Sequence, residues 1–556
     1  MADRPIVDPA RRGGVRSSAP LRAIRMADDR LNDPGSGLAS AAVGAVATAL
    51  LYALAAAEPR LWPCALLAPL PILATAPEIR TGSGAQFAFL AYLIGNLVAW
   101  GGESFAVPLA TMLASHVVDA IVFATFVACA TEATRRWSGL LAALIFPTFE
   151  TAFYFALSQQ SPHGTWGSPA YSQVGFIPLL QTSSMLGLCG VMFIMSLLPS
   201  GLAVAWYRRR WNMDWAPPAI MSVGVFALAI VLGWIRVLRT PSTPTVRVAM
   251  VASNSLMPQS ESTDVSDAAD IVALYAKLVR QAAGQGAQIV VMPEKVVGVA
   301  PSYEWDVVKG FQQIASMSQV WLVVGFNQIG RTPEKNIAVV FGPDGKIVAA
   351  YSKHHPIPEL EADYKAGTRP AIFDAPWGRT AVLISQDLDF PDTVRELALN
   401  DVRVVMAPAS DWAGSETIHQ RMAVVRGVES GFSLARATRA MLSANDSRGR
   451  QIVARALAAG QESVATADLP LGTGRTFYSR ADDWFGHLCE MFTILLMLRL
   501  GVSIWYAARL RRLAAVDRIV HPGVVSVDVV KSADDAQQKV DEEEERIYRP
   551  PTRRPD

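Results

Sequence analysis

Three polar side chains stand where apolar, strand-like runs stop: Glu294 beyond Ala287–Met292, Lys353 beyond a hairpin over Asn336–Tyr351, and Ser385 beyond Ala381–Ile384. Singly each is ordinary, because a Glu or Lys past a strand is usually solvated, and a Ser at a strand-to-helix turn usually caps it. Together they form a chemically sensible set. A carboxylate accepts a proton, an ammonium stabilises a developing oxyanion, and a hydroxyl attacks an acyl carbon. The run AVLISQDLDFPD places Ser385 where a strand ends and a helix opens with Pro391 in its first turn. Strand ends of open α/β sheets face the crevice where ligands bind.

Residues 246–480 have the pattern needed to hold such groups: short β-branched runs alternate with amphipathic stretches, as in an α/β domain with a buried sheet. Strands are expected over Val246–Ala252, Ala287–Met292, Trp321–Gln328 and Val402–Pro408, and helices over Ser266–Gly284, from Pro391 to Leu399, and over Glu416–Gly431. Pro343-Asp344-Gly345 turns the hairpin that delivers Lys353, and Asp446–Arg450 reads as a second hairpin turn. His354-His355 lacks a third ligand at metal spacing. Cys64, Cys129, Cys189 and Cys489 show no paired spacing, so neither a disulfide framework nor a metal or cofactor is expected.

The rest of the chain is membrane-like. Of 556 residues, 51% are hydrophobic and only 18% charged, which is high for a soluble protein. Apolar segments cover roughly 37–57, 61–77, 84–100, 105–130, 138–157, 180–206 and 216–238, with an eighth at 488–508. Each is near the length of a spanning helix, two being short. Ala55-Ala56-Ala57 resembles a signal-peptide end, but the long mixed-charge leader favours an anchor. Arg residues before the first span and after the second, fourth and sixth fall on one side, which puts both termini inside and residues 246–480 outside. Residues 1–36 and 509–556 are expected to be disordered cytoplasmic tails, the latter with an acidic run at 541–545. With a net charge of +1 and no basic, aromatic-interleaved stripe, nucleic acid is not an expected partner. Trp62, Trp100, Trp166 and Tyr171 read as a headgroup-level belt, and Ser158–Gln173, on the outer side, as part of a lipid access path.

In its details the chain resembles a known family. MPEK, YSKHHPIPELE and LISQDLDFP, carrying Glu294, Lys353 and Ser385, are similar to the triad motifs of the carbon-nitrogen hydrolase (nitrilase) superfamily. Within the eight-span frame the resemblance narrows to the apolipoprotein N-acyltransferases. It includes PRLWPCALLAPLPIL, SPAYSQVGFIPLLQ, SNSLMPQSE, HQRMAVVRGVESGFSLARAT and GTGRTFYSRADDWFG, and so runs from the first span to the eighth. The resemblance implies about eight transmembrane helices plus an extracytoplasmic αββα sandwich, in a bacterial inner membrane and as a monomer. It also implies a catalytic set of Glu294, Lys353 and the residue at 385. Glu361 corresponds to a second glutamate supporting the lysine, and Trp412 to an aromatic near the acyl site. The implied reaction moves an acyl chain from a phospholipid onto the enzyme, then onto the amine of a diacylglyceryl-cysteine in a lipoprotein.

One departure bears on that reaction: Ser385 occupies the family's cysteine position, and Gln386 and Asp387 replace its usual Tyr-Glu. A thiol is partly thiolate at neutral pH, whereas a serine must lose its proton during attack. Three readings follow: a serine nucleophile forming an ester, a pseudoenzyme that binds lipid or lipoprotein, or an engineered nucleophile-minus form. Acyl transfer predicts an apolar groove from Ser385 to the membrane. Its rivals are a membrane-tethered amidase with a closed polar pocket and a non-catalytic partner protein.

Overall fold

The computed structural model describes residues 34–57, 59–100, 109–239, 244–254, 265–411 and 416–520. Numbered along the chain, its strands are β1 (Thr245–Ser253), β2 (Ile289–Val291), β3 (Val297–Val299), β4 (Trp321–Gln328), β5 (Lys335–Phe341), β6 (Ile347–Ser352) and β7 (Ala371–Ala375). They continue with β8 (Gly378–Val382), β9 (Val404–Pro408), β10 (Ser433–Ala437), β11 (Met441–Asn445), β12 (Gln451–Ala456) and β13 (Glu462–Pro470).

These strands form two sheets. One runs β13-β1-β2-β4-β5-β6, with β3 also paired to β4; the other runs β12-β11-β10-β9-β8-β7. Alternation along β1 sends Val248 and Met250 to one face and Ala249 and Val251 to the other, the two-residue period of a strand buried on both sides. Val248 and Met250 meet Val382, Val404, Met406 and Leu434 of the second sheet in a common inter-sheet core. The opposite face of the first sheet is covered by helices Val265–Gly284 and Glu304–Ser318, through Tyr275, Leu278 and Phe311. Helices Pro391–Leu399 and Glu416–Ser430 form the fourth layer.

That fourth layer also seats the sandwich on the rest of the chain. Met422, Val424, Val425 and Val428 share one buried cluster with Leu179, Leu188, Val191 and Met195. Six of the described helices are long and apolar enough to cross a bilayer: Gly37–Ala55, Leu109–Arg136, Gly139–Gln160, Ser183–Arg210, Ala216–Leu238 and Trp484–Arg509. Helix Thr81–Trp100 lies over the third expected span. The second expected span differs. Residues 61–77 form two short helices, Trp62–Leu67 and Leu70–Thr75, because Pro63, Pro69, Pro71 and Pro77 repeatedly remove the amide donors a continuous helix needs. The last helix runs from Trp484 to Val520, so residues 509–520, expected to be tail, continue it. Their Arg-, Leu- and Ala-rich composition sustains helix. Expectations for residues 1–33 and 521–556 lie outside the described residues.

Candidate active site

The first group is placed by a tight turn. After β2 the chain bulges out at Pro293-Glu294-Lys295 and resumes in the same direction as β3, both strands pairing parallel to β4, with Met292 N–H on Val323 O at 3.0 Å and Val296 N–H on Gly325 O at 2.8 Å. Gly325 makes the close approach feasible, since a Cβ there would lie 2.5 Å from Pro293 O and 2.8 Å from Glu294 Cα. Lys353 follows β6 directly, its amide bonded to Asn336 O at 2.9 Å. Eight residues later the chain has returned: a turn closed by Glu361 N–H on Ile357 O at 2.7 Å brings Glu361 back onto Lys353.

The structure brings Glu294, Lys353 and Glu361 together, each at most 3% exposed. Lys353 Nζ lies 2.9 Å from Glu294 Oε1 and 2.8 Å from Glu361 Oε2. Asn336 of β5 bridges both carboxylates through one amide nitrogen, at 2.8 Å from Glu361 Oε1 and in close contact with Glu294 Oε1. Lys295 Nζ holds Glu361 Oε1 at 2.6 Å, and Ile357 N–H donates to Glu361 Oε2 at 2.9 Å. Burial opposes the charge on Glu361, but Lys353 and Lys295 outweigh it and hold the carboxyl down to about 2. Burial likewise opposes the charge on Lys353, and the two glutamates outweigh it, raising its pKa well above that of a free lysine. Lys353 and Glu361 thus hold each other charged despite their burial. Asn336 and Lys295 were not among the sequence candidates.

Ser385 begins the turn after β8 with φ 45°, a left-handed conformation that costs a non-glycine residue about 1–2 kcal/mol. It is 4% exposed, and its Oγ points to Ser410 O at 3.5 Å. Glu294 N–H bonds Ala409 O at 3.2 Å, so the glutamate and the serine are both tied to consecutive residues just past β9. Asp387 supplies a second tie. Its Oδ1 accepts the amides of His354 and His355, at 3.1 and 2.8 Å, and its Oδ2 accepts Tyr351 Oη–H at 2.7 Å and Ile384 N–H at 3.2 Å. The Ser385 turn is thereby fastened to the chain on both sides of Lys353. His355 stacks on Phe390 at 3.5 Å and bonds Thr393 through Nε2 at 2.9 Å, so this histidine packs beneath the turn. Trp412 lies outside the described residues.

Residues from the Ser158–Gln173 segment reach the same turn. Gln386 Nε2 donates to Pro162 O at 3.0 Å, and Thr165 donates through both its amide and its hydroxyl to Asp389 O, at 2.9 and 2.8 Å. Trp166 packs on His419 at 4.7 Å, and His419 lies 2.9 Å from Asp411, which is paired with Arg436. Beneath this, fully buried Arg426 donates to Leu388 O at 3.0 Å and to Thr165 Oγ1 and Tyr171 Oη at 2.7 Å, and it pairs with Glu429. Glu429 in turn accepts Leu188 N–H at 2.8 Å, beside the kink at Gly187 in helix Ser183–Arg210. Membrane helix and Ser385 turn are thus joined by one chain of hydrogen bonds.

Residues 247–478 match the family model described as carbon-nitrogen hydrolase, and residues 48–201 match the apolipoprotein N-acyltransferase N-terminal domain. An apolipoprotein N-acyltransferase of Geobacter metallireducens is 25% identical over 358 residues, 58% of this chain and 67% of that one. The enzyme of the same name from Shewanella oneidensis is 24% identical, over 63% and 71%, and that from Synechocystis sp. 28% identical, over 38% and 45%. Among solved structures, an amidase from Nesterenkonia sp. is 20% identical, over 45% of this chain and 97% of that one, with a TM-score of 0.37. Two family models on successive parts of the chain, and several curated relatives of one name, agree: the chain belongs to the apolipoprotein N-acyltransferases of the carbon-nitrogen hydrolase superfamily.

Proposed function

We propose that this chain acylates the N-terminal amine of diacylglyceryl-modified lipoproteins through an ester formed on Ser385. The observation that carries the reading is the buried network of Glu294, Lys353 and Glu361 beside the Ser385 turn. In the first half-reaction Ser385 Oγ attacks the acyl carbonyl of a phospholipid. Its proton passes to Glu294, Lys353 stabilises the oxyanion, and the lysophospholipid alcohol leaves with the proton that Glu294 returns. In the second, the lipoprotein amine attacks the Ser385 ester, Glu294 takes the amine proton, and Ser385 leaves as the alcohol by regaining it. Atoms and protons balance without a cofactor or metal. An oxygen ester on Ser385 lies close in energy to the phospholipid ester it replaces, and the final amide is more stable than either. The thermodynamics therefore suit serine; what serine loses against cysteine is nucleophilicity at neutral pH.

Six helices suited to a bilayer and the seating of the sandwich on Ser183–Arg210 support delivery of both substrates from the membrane. The arginine pattern supports an inner-membrane protein with the sandwich on the outer side and both termini inside. A single chain holds every residue named above, in keeping with a monomer.

The test is intact-protein mass spectrometry after incubation with labelled phospholipid, comparing the chain with Ser385→Ala and Ser385→Cys. One acyl mass on the parent and none on the Ala variant is the expected result. An adduct on the Cys variant alone would leave a competent scaffold disabled at one atom, and none on either would overturn acyl transfer in favour of lipoprotein binding.

A further inference from the structure

Lys295 is a charged residue in an unusual place. It follows Glu294 directly and takes a left-handed backbone, φ 51°, where glycine or asparagine is the ordinary occupant. Its Nζ lies 2.6 Å from Glu361 Oε1 and 4.2 Å from the centroid of the Tyr364 ring, and only 16% of its side chain is exposed. Tyr364 is itself fixed by its hydroxyl on Asn327 Oδ1 at 2.8 Å and by its amide on Glu361 O at 3.0 Å. A lysine on a surface turn has no need of this enclosure.

Charge balance supplies the reason. With Lys295, the two carboxylates of Glu294 and Glu361 face two ammonium groups, Lys353 and Lys295. Without it, two buried carboxylates bridged by one Asn336 nitrogen would share a single ammonium, and the uncompensated negative charge would raise the proton affinity of every acid beside it. A proton held on Glu294 blocks the base. The other groups facing the pair are the Ile357 amide on Glu361, Arg439 acting on Glu294 from the β10–β11 turn, and Asp387 and His355 acting on Lys353 from the Ser385 turn and the loop after Lys353. None of these is a second ammonium on Glu361.

We propose that Lys295 is a positioning residue for acyl transfer: by neutralising Glu361 it leaves Glu294 ionised as the only proton acceptor and keeps Lys353 charged beside it. The inference deepens the acyl-transfer reading and rests on it for its purpose, but its electrostatic content is separately measurable. A serine that must be deprotonated during attack gains more from an assured base than a cysteine does, which fits this chain's nucleophile.

The experiment places a thiol at the reacting position and reads its pH profile without any lipid substrate. Ser385→Cys chain in nanodiscs is alkylated with iodoacetamide across a range of pH, with Lys295 retained, Lys295→Met, Lys295→Arg, Glu361→Gln, and Lys295→Met with Glu361→Gln. Lys295→Met is expected to raise the midpoint of the profile by about one pH unit, about a tenfold slower reaction at a fixed pH below it. Arg should hold the midpoint in place, Glu361→Gln should lower it, and the double variant should return it to the parent value. An unmoved midpoint in Lys295→Met overturns the proposal, as does a double variant as displaced as the single, which marks a packing role. If Lys295→Met does not fold, Glu361→Gln and the double variant test the same charge count. Should phospholipid leave no adduct on parent or Cys chain while the midpoints shift as stated, acyl transfer fails and the role of Lys295 stands.

Discussion

Tyr351 donates its phenolic hydrogen to Asp387 across the gap between the two sheets, 2.7 Å from the hydroxyl to Oδ2. The bond joins β6, which ends one residue before Lys353, to the turn that begins at Ser385. Asp387 is one of the two residues by which this chain departs from the family's Tyr-Glu, and its four accepted hydrogen bonds give the departure a structural meaning.

Asp387→Asn turns an amide NH₂ toward one of two pairs of donors. Each buried donor left unsatisfied costs about 1–3 kcal/mol, so the expected outcome is a clearly lowered unfolding midpoint together with slower acylation, as the Ser385 turn loosens from Lys353. Tyr351→Phe removes one bond only, about 1 kcal/mol. Denaturation and single-turnover acylation of both variants check this. An acylation rate unchanged in Asp387→Asn would separate the turn's anchoring from catalysis.

Stability should bend in opposite directions around these two acids. Burial, opposed by Tyr351 and Lys353, raises the Asp387 carboxyl from 3.8 to about 6. The folded state then holds this proton more tightly than the unfolded one, so the contribution is full below pH 3.8 and lost as pH rises through about 6. Glu361 is the reverse: lowered from 4.5 to about 2, it contributes fully above pH 4.5 and the contribution is lost as pH falls toward 2. Denaturation midpoints measured against pH should lose the decline between about 4 and 6 in Asp387→Asn, and the acid limb below 4.5 in Glu361→Gln.

Gly325→Ala probes the placement of Glu294 without touching a polar group. The added methyl would meet Pro293 O at 2.5 Å and Glu294 Cα at 2.8 Å, both main-chain atoms that move only with the turn itself. Overpacking of this kind costs about 1–3 kcal/mol. Because the displaced residue carries the proposed base, acylation is expected to fall about tenfold or more, even where the fold survives. Equal acylation in a folded variant would show that the Glu294 turn tolerates the shift.

The readability of these features in the sequence follows from where each residue sits. Glu294, Lys353 and Ser385 end apolar runs, and a polar group at a strand end stands out against them. Asn336 does not, because it lies just inside β5, where one buried polar residue looks like a lapse in the alternation. Lys295 next to Glu294 reads as a solvated pair until Glu361, 66 residues on, folds back upon it. Strand and turn spacing reads as an α/β domain with a buried sheet, whereas the sandwich of two sheets is an implication of the family resemblance. Residues 61–77 look like a span because their composition is apolar, and hydropathy does not register that four prolines break the helix.

Arg426 and Glu429 offer the test of how the sandwich and the membrane helices work together. Both are at most 1% exposed, and removing one member of such a pair leaves the other as an uncompensated buried charge, at about 3–5 kcal/mol. Arg426→Met and Glu429→Met are each expected to unfold the chain far more easily, whereas the double variant should regain most of the stability, since an apolar pair replaces an ion pair at little cost. Acylation should not recover with it. Among the described residues, Arg426 links Leu388 O, in the turn after Ser385, to Thr165 and Tyr171, and Glu429 receives the Leu188 amide. A stable double variant with slow acylation would identify this pair as the tie that sets the Ser385 turn against the membrane helices, and full recovery of both would reduce it to a packing element.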